Sequence, residues 1–391
     1  MITSNRYLST KGGESIRRYL SSHYDIIELI DLGDTKLFEA AVLPAIFIGQ
    51  KKRVNANPAP PARFQKVYEA PEAVGNHAQS ARNIYEMLAH TSDGHFSIGE
   101  KCFQKTSGFL THDARTGHPW RLLSHEEAQW VATIDQCAHS RVEDHFKVRV
   151  GIKTTADKVF LKKDWESMGP DKPEEELLRE LLSQENIQPW RATSQVTLKV
   201  LYTHEQVAGK KQPIDLTRYP KAEKYLRSRY EQLAGRTYVL AAGRNWYEIW
   251  VPQQPKLWGK PKLVFPDISP QPRFYFDTEG KIVNGNCYWM VAEKPHEIDK
   301  LLLIQGIANS RLMTRYHDVV FNNKLYSGRR RYLSQYVMRY PIPNPDGELA
   351  KAIISLVKEL NQSSYTAQRE GLERQLEEQV ATAFGVAPMA R

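Results

Sequence analysis

The sequence predicts an α+β chain in three parts: an N-terminal α/β fragment, a mixed and mostly-β central domain, and long helices at the C-terminal end. Three observations predict it. Near the start, Ile16, Tyr19, Leu20 and Tyr24 recur at helical spacing, and the runs DIIELIDL and AAVLPAIFIG follow as two β-rich apolar segments. Between residues 151 and 300, aromatic and β-branched stretches alternate with Gly- and Asp-bearing turns. From residue 348 onward, Leu349, Ile353, Leu356 and Leu360, then Leu372, Leu376, Val380 and Phe384, form apolar stripes at helical spacing.

Taken in order, residues 1–50 read as one helix and two or three strands, with the continuous apolar runs expected to be buried on both faces. So few elements cannot enclose a core, so this piece packs on later chain or on another protein. Residues 51–125 read as a linker and connecting segment, opened by the proline-rich, cationic stretch KKRVNANPAPPARFQK. Residues 126–345 form the central domain. Ser124 and Glu127 make a capping box that opens the helix HEEAQWVATIDQCA. KPEEELLRELLSQ reads as a polar helix, RTYVLAAGRNWYEIWVP and KPKLVFPDI as strands, and EIDKLLLIQGIANSRLMTRYHDVV as a helix. Residues 346–391 are the C-terminal helical segment, suited to packing as a pair or on a partner.

The 391 residues allow two or three domains at roughly 150 residues each. No apolar run reaches the ~18 residues a membrane span needs, and no signal peptide opens the chain. Three widely spaced cysteines, Cys102, Cys137 and Cys287, argue against a disulfide framework and for a reducing, cytoplasmic setting. A formal charge of +9 favours polyanionic partners, nucleic acid first.

Several chemistries are missing. There is no phosphate-cradling Gly loop and no nucleophile elbow. Cys137, His139 and His145 match no standard zinc spacing, so no metal site is assigned. Asp267, Glu279 and Lys281 fit the loose pattern of a Mg²⁺-dependent nuclease, in which two carboxylates hold the ion and a lysine assists. FDTEGK reads equally as a hairpin turn.

Three stretches have the composition of a nucleic-acid surface. In the elbow VGIKTTADKVFL, Lys153 and Lys158 are placed to reach phosphates and Thr154 and Thr155 to donate to phosphate oxygens. In 236–262, Arg236, Arg244, Lys256, Lys260 and Lys262 alternate with Tyr238, Trp246, Tyr247 and Trp258. In 311–339, Arg311, Arg315, Lys324, Arg329, Arg330, Arg331 and Arg339 stand against the single acid Asp318. There Asn323 and Tyr326 add groups able to read base edges. A plain turn and solvated basic faces are the ordinary readings of all three.

RYLSTKGGESIRRYLSSHYDIIELIDLGDTKLFEAAVLPAIFIGQ resembles the segment after the catalytic motif in γ-class N6-adenine DNA methyltransferases of restriction–modification systems. VRVGIKTTADKVFL is similar to the opening of their TaqI-like recognition domain, whose pattern is Gly-Ile-x-Thr-Gly-x-Asn/Asp-x-x-Phe. YEIWVP, KPKLVFPDIS, LLLIQGIANSRLM and YPIPNP follow in matching order, also similar to type I specificity subunits. The resemblance implies that residues 1–50 complete a methyltransferase-like sheet and that the central domain recognises target DNA. Phe38 falls where an aromatic of the family contacts the flipped base. The S-adenosylmethionine motif and the Asn/Asp-Pro-Pro-Tyr/Phe motif are absent. The expectation is therefore a recognition subunit or half with no catalytic residue of its own. The Met1 start suggests a separate polypeptide, completed in trans by a chain that bears the missing motifs and binds S-adenosylmethionine. The rival classes are the nuclease above and a non-enzymatic DNA-binding specificity module.

Overall fold

Alternation rather than continuous burial shapes the first strands. In Tyr24–Asp31, Ile26, Leu29 and Asp31 are buried while Ile27 is 45% exposed, and in Pro44–Lys51 Ile48 is 39% exposed. Period-2 patterning of this kind marks strands whose two faces are buried to different extents, not the continuous burial their composition had implied.

The computed structural model describes residues 1–35, 42–53, 60–70, 78–111, 119–193, 198–321, 328–363 and 366–389. They fall into two compact units, residues 1–136 with 315–328 and residues 137–314 with 329–391.

The first unit carries β1 (Ile2–Ser4), α1 (Glu14–His23), β2 (Tyr24–Asp31), β3 (Pro44–Lys51), β4 (Arg63–Glu69), β5 (Gln79–Ser80), α2 (Ile84–Ala89), β6 (Gly94–Ile98), β7 (Lys101–Thr111), β8 (Arg121–Leu123) and α3 (His125–Cys137). Its described strands form one sheet in the order β1-β3-β2-β4-β7-β6-β5, with β8 on β7. One face holds Leu20, Leu29, Phe47, Phe64 and Trp120. The other, under α2, holds Val67, Ile84, Met87, Phe96 and Phe103. Residues 51–125 are thus no linker: β4 to β8 continue the sheet begun by residues 1–50, β4 lying parallel to β2. The short alternating run RFQKVYE, hidden behind the prolines, supplies that link. The capping box of α3 is formed, Glu127 N donating to Ser124 Oγ at 3.2 Å and Ser124 N to Glu127 Oε2 at 3.0 Å.

The second unit has two four-stranded sheets. One orders Arg149–Val150, Cys287–Val291, Lys262–Pro266 and Tyr275–Asp277. The other orders Leu161–Lys162, Lys199–Leu201, Leu178–Leu182 and Ile282–Val283. Trp165, Trp258 and Trp289 anchor the core between them, Trp258 stacking on Trp289 with ring centres 4.7 Å apart. Two local expectations fail. KPEEELLRELLSQ becomes a short 3₁₀ turn, Glu175–Leu177, and the strand Leu178–Leu182, because Lys199–Leu201 offers it a pairing edge. RTYVLAAG begins with the helix Thr237–Ala241 and not a strand. The long helix expected at 297–320 breaks at Ser310 into Ile298–Asn309 and Arg311–Phe321. The C-terminal helices Glu348–Gln362 and Thr366–Ala383 pack on Ile298–Asn309. They approach at Gly306, where an added Cβ would lie 2.8 Å from Val357 and 2.9 Å from Ile353. Among the described residues no helix is long and apolar enough to cross a membrane.

Candidate nucleic-acid interface

The elbow that follows Val150 is built around close backbone contacts. Gly151 N donates to Cys287 O at 2.9 Å and Ile152 N to Val283 O at 2.7 Å. A Cβ at Gly151 would sit 2.0 Å from Asn284 O, so only glycine lets the elbow lie against the Val283–Cys287 turn. Thr154 is turned inward, 2% exposed, its hydroxyl accepting from Ala156 N and donating to Asp157. Thr155 adopts φ 57°, a left-handed conformation that a β-branched residue rarely takes. It stands where the family pattern has Gly. Lys153, Thr155 and Lys158 remain exposed.

One buried guanidinium holds this elbow. Arg236, 6% exposed, donates to Thr154 O at 2.9 Å, Glu248 O at 3.1 Å, Leu233 O at 3.1 Å and Trp246 O at 2.6 Å. It also lies over Phe160, 5.5 Å from the ring centre. The result is an open cleft of roughly 510 Å³, whose lining includes Lys153, Thr155, Lys158, Gln232, Asn284 and Asn286. The amides were not singled out in the sequence. The dipeptide signal was there, NGN between two strands, but it reads first as a turn.

The stretch 236–262 divides between core and surface, with Tyr238 and Lys256 exposed but other cations and aromatics turned inward. Lys262 is fully buried, 2.6 Å from Asp277 and donating to Trp258 O at 2.7 Å, and burial pushes its amine down from the ordinary lysine range. It cannot reach a phosphate, and its assignment to the DNA surface is corrected. Arg236 and Trp258 are likewise internal. Arg244 donates to Trp250 O at 2.6 Å and stacks on its ring at 4.9 Å. Trp246 packs edge-on against Tyr230 and Tyr247. Lys260 donates to Glu293 O at 2.9 Å.

In the third stretch, Asn323, Lys324 and Tyr326 lie outside the described residues, as does Phe38. Arg329 is exposed. Arg330 donates to Pro270 O. Arg331 grips Asp267 through two bonds, at 2.5 and 3.3 Å, so an acid from outside the stretch answers its charge.

That bond also removes Asp267 from any nuclease centre. Lys262 pairs with Asp277 in strand register, and Asp267 lies five residues farther along. At about 3.3 Å per residue this puts Asp267 roughly 16 Å from the Glu279 turn. Asp277 accepts from Glu279 N and Lys281 N, closing a hairpin with Gly280 at φ 79°. Among the described residues no three His, Cys, Asp or Glu side chains are grouped to hold a metal ion. His145 bonds to Ser140 Oγ at 2.7 Å and Cys137 is exposed.

Residues 174–342, which include Gln232, Asn284 and Asn286 of the cleft lining, match the model of the TaqI-like C-terminal specificity domain. Over 392 aligned residues the chain is 44% identical to the type II methyltransferase M.BanIII of Aneurinibacillus aneurinilyticus, covering 99% of this chain and 67% of that protein. The chain belongs to the type II methyltransferases of restriction–modification systems. It is also 24% identical to type II methyltransferase M.PaeR7I of Pseudomonas aeruginosa, covering 88% of this chain and 54% of that one. Among solved structures, the type IIL restriction–modification enzyme MmeI in complex with DNA shares the fold, with a TM-score of 0.58 at 14% identity, covering 100% of this chain and 47% of that one. This methyltransferase-family chain thus spans about half to two-thirds of the length of the proteins it matches.

Proposed function

We propose that the chain recognises a DNA sequence for an S-adenosylmethionine-dependent N6-adenine methyltransferase, together with a catalytic segment or chain that carries the cofactor and Asn-Pro-Pro-Tyr motifs. The observation that carries this reading is the cleft in the second unit. Two exposed lysines, Lys153 and Lys158, line it beside a rigidly held elbow, together with the amide side chains of Gln232, Asn284 and Asn286. Lysines supply affinity for phosphates and amides supply base discrimination.

This reading assigns the cofactor to the counterpart because the S-adenosylmethionine motif is absent from the sequence. At Gly33 and Gly13 protein already fills the space: a Cβ would lie 2.3 Å from Val67 O and 2.3 Å from Tyr7 O respectively. The cofactor belongs to the catalytic counterpart. There it supplies the methyl group, and no step of the transfer is assigned to this chain. β1 is the end strand of the first unit's described sheet, which gives that counterpart an edge to extend. Phe38 would then approach the extruded base, since adenine N6 is out of reach inside the duplex. The described residues that precede it in sequence are held firmly: Asp31 accepts from Asn5 Nδ2 at 3.0 Å, Tyr68 OH at 2.9 Å and Gly33 N at 3.1 Å.

The test is co-expression with a counterpart bearing the two motifs, followed by transfer of labelled methyl from S-adenosylmethionine to duplex DNA. Methyl incorporation at N6 of adenine only when both are present is the expected result. Methylation by this chain alone, or by the counterpart alone at the same sites, overturns the division of labour.

A further inference from the structure

The segment THEQVAGKKQPI, residues 203–214, was passed over in the sequence, yet it forms the most isolated feature of the second unit. His204–Val207 and Lys210–Pro213 pair only with each other, as a two-stranded ribbon that joins no larger sheet among the described residues. Its tip is a tight turn in which Ala208 and Gly209 both have positive φ, 47° and 78°, the requirement of a two-residue hairpin loop that keeps the strand twist.

An isolated hairpin is marginal in water, so something must hold it. Its feet are bolted to the core. Thr203 Oγ1 donates to Tyr247 O at 3.1 Å, and Tyr247 OH donates to Ile214 O at 2.8 Å, so one tyrosine fixes both strands. His204, 5% exposed, bonds to Glu248 Oε2 at 3.3 Å. Glu248 O in turn accepts from Arg236, the same guanidinium that holds Thr154 in the elbow. The ribbon and the cleft are therefore set by one network.

Beyond its feet the ribbon turns outward. Val207 is 42% exposed, and Lys210, Lys211 and Gln212 are exposed. Its only acid, Glu205, is answered by Arg218 at 3.3 Å, which leaves the tip cationic. Cross-strand register puts Val207 opposite Lys210 and Glu205 opposite Gln212, so Val207, Lys210 and Gln212 share one face.

Resting on the DNA-recognition reading above, we infer that this hairpin enters the major groove of duplex DNA. Size decides the groove. Two strands with their side chains fit the major groove, about 12 Å wide, and not the minor groove, about 6 Å. Four residue pairs at about 3.3 Å give roughly 13 Å of reach, more than the groove's depth of about 8.5 Å. Chemistry agrees. A lysine at the tip meets guanine O6 and N7 or a flanking phosphate, glutamine pairs with adenine N6 and N7, and an exposed valine suits a thymine methyl.

The test measures binding of the full chain to a fluorescein-labelled 40-bp duplex pool of randomised sequence, by anisotropy between 50 and 300 mM NaCl. Methyl green, which occupies the major groove, serves as competitor. Lys210→Ala with Lys211→Ala is expected to weaken binding at least tenfold and to lower the salt slope by about 1 to 2. A shortened hairpin, with Asn-Gly in place of residues 206–211, is expected to abolish the sensitivity to methyl green. A wild-type chain that binds the pool while both variants keep its affinity, slope and methyl green response overturns the hairpin and leaves the DNA reading standing. A wild-type chain that binds no duplex at 50 mM NaCl overturns both.

Discussion

Replacing Lys262 by Met separates a core role from a DNA-contacting one. Its amine lies 2.6 Å from Asp277, with both side chains 0% exposed. At that distance and an effective dielectric near 20, attraction is about 6 kcal/mol. Taking each ion out of water costs several kcal/mol, so the intact pair comes close to breaking even. Removing only the amine leaves a buried carboxylate whose remaining partners are the turn amides of Glu279 and Lys281. The expected loss is about 3–5 kcal/mol, a large share of the 5–15 kcal/mol that holds a typical domain. Lys262→Met with Asp277→Asn removes both charges and should recover most of it. Urea unfolding followed by tryptophan fluorescence reads this directly, because Trp258, whose carbonyl Lys262 holds, stacks on Trp289. DNA affinity measured on the folded fraction should keep its salt slope. A Lys262→Met protein stable to within about 1 kcal/mol, with a salt slope lowered by about 0.9, would refute the reasoning, since that is the signature of a lost phosphate contact.

Arg329→Ala should lower the salt slope of DNA binding by about 0.9 while leaving the melting temperature unchanged. Arg331→Ala should instead free Asp267 and cost stability, because that guanidinium is committed to the carboxylate by two bonds. Thr155→Gly should raise stability by up to about 2 kcal/mol in urea melts. Relief of a strained φ of 57°, about 1–3 kcal/mol, outweighs glycine's extra unfolded-state entropy, about 0.5–1 kcal/mol. Stability should also fall with acid. Burial holds the His204 imidazole below its usual range, against the pull of Glu248. The unfolded chain therefore takes up its proton near pH 6.5, while the folded chain does so only at lower pH. The contribution is whole above about pH 6.5 and declines below it by at most about 1.4 kcal/mol per unit, and His204→Asn should flatten the difference between urea midpoints at pH 7.5 and 5.5.

What the sequence disclosed depended on whether local pattern and tertiary setting agreed. The stripe Leu372, Leu376, Val380 and Phe384 is buried as its spacing required. In the preceding helix the buried set is Ala350, Ile353, Ile354, Val357 and Leu360, a stripe turned slightly from the expected one, with Leu349 39% exposed. The Ser124–Glu127 capping box is a purely local device, and it formed. KPEEELLRELLSQ failed because an edge at Lys199–Leu201 outweighed helical propensity. The alternation of cations and aromatics in 236–262 carried no information about which side faces out. Guanidinium and indole groups satisfy buried carbonyls and fill cores as readily as they meet nucleic acid, and Arg236 does the first. The amides of Asn284 and Asn286 were invisible for the opposite reason: a turn already explains them.

The same network bears on how a protein of this family can change what it reads. Base-reading groups need positions held to a fraction of an ångström, yet they must be replaceable without refolding the domain. Here the fixed parts and the reading parts are different residues. Arg236, Glu248, Tyr247 and Gly151 are committed to backbone atoms and to one another. Val207, Lys210 and Gln212, like Lys153 and Lys158, extend from that frame and are exposed. Substitutions at the tip should therefore shift sequence preference with melting temperature unchanged, whereas Arg236→Met should leave Trp246 O and Glu248 O without their donor and Thr154 O with the Thr155 hydroxyl alone. At about 1–3 kcal/mol for each buried unpaired carbonyl, that single change costs at least about 2 kcal/mol and loosens elbow and hairpin together. An Arg236→Met chain that kept wild-type stability would mean that ribbon and cleft are held independently, and that the shared frame does not exist.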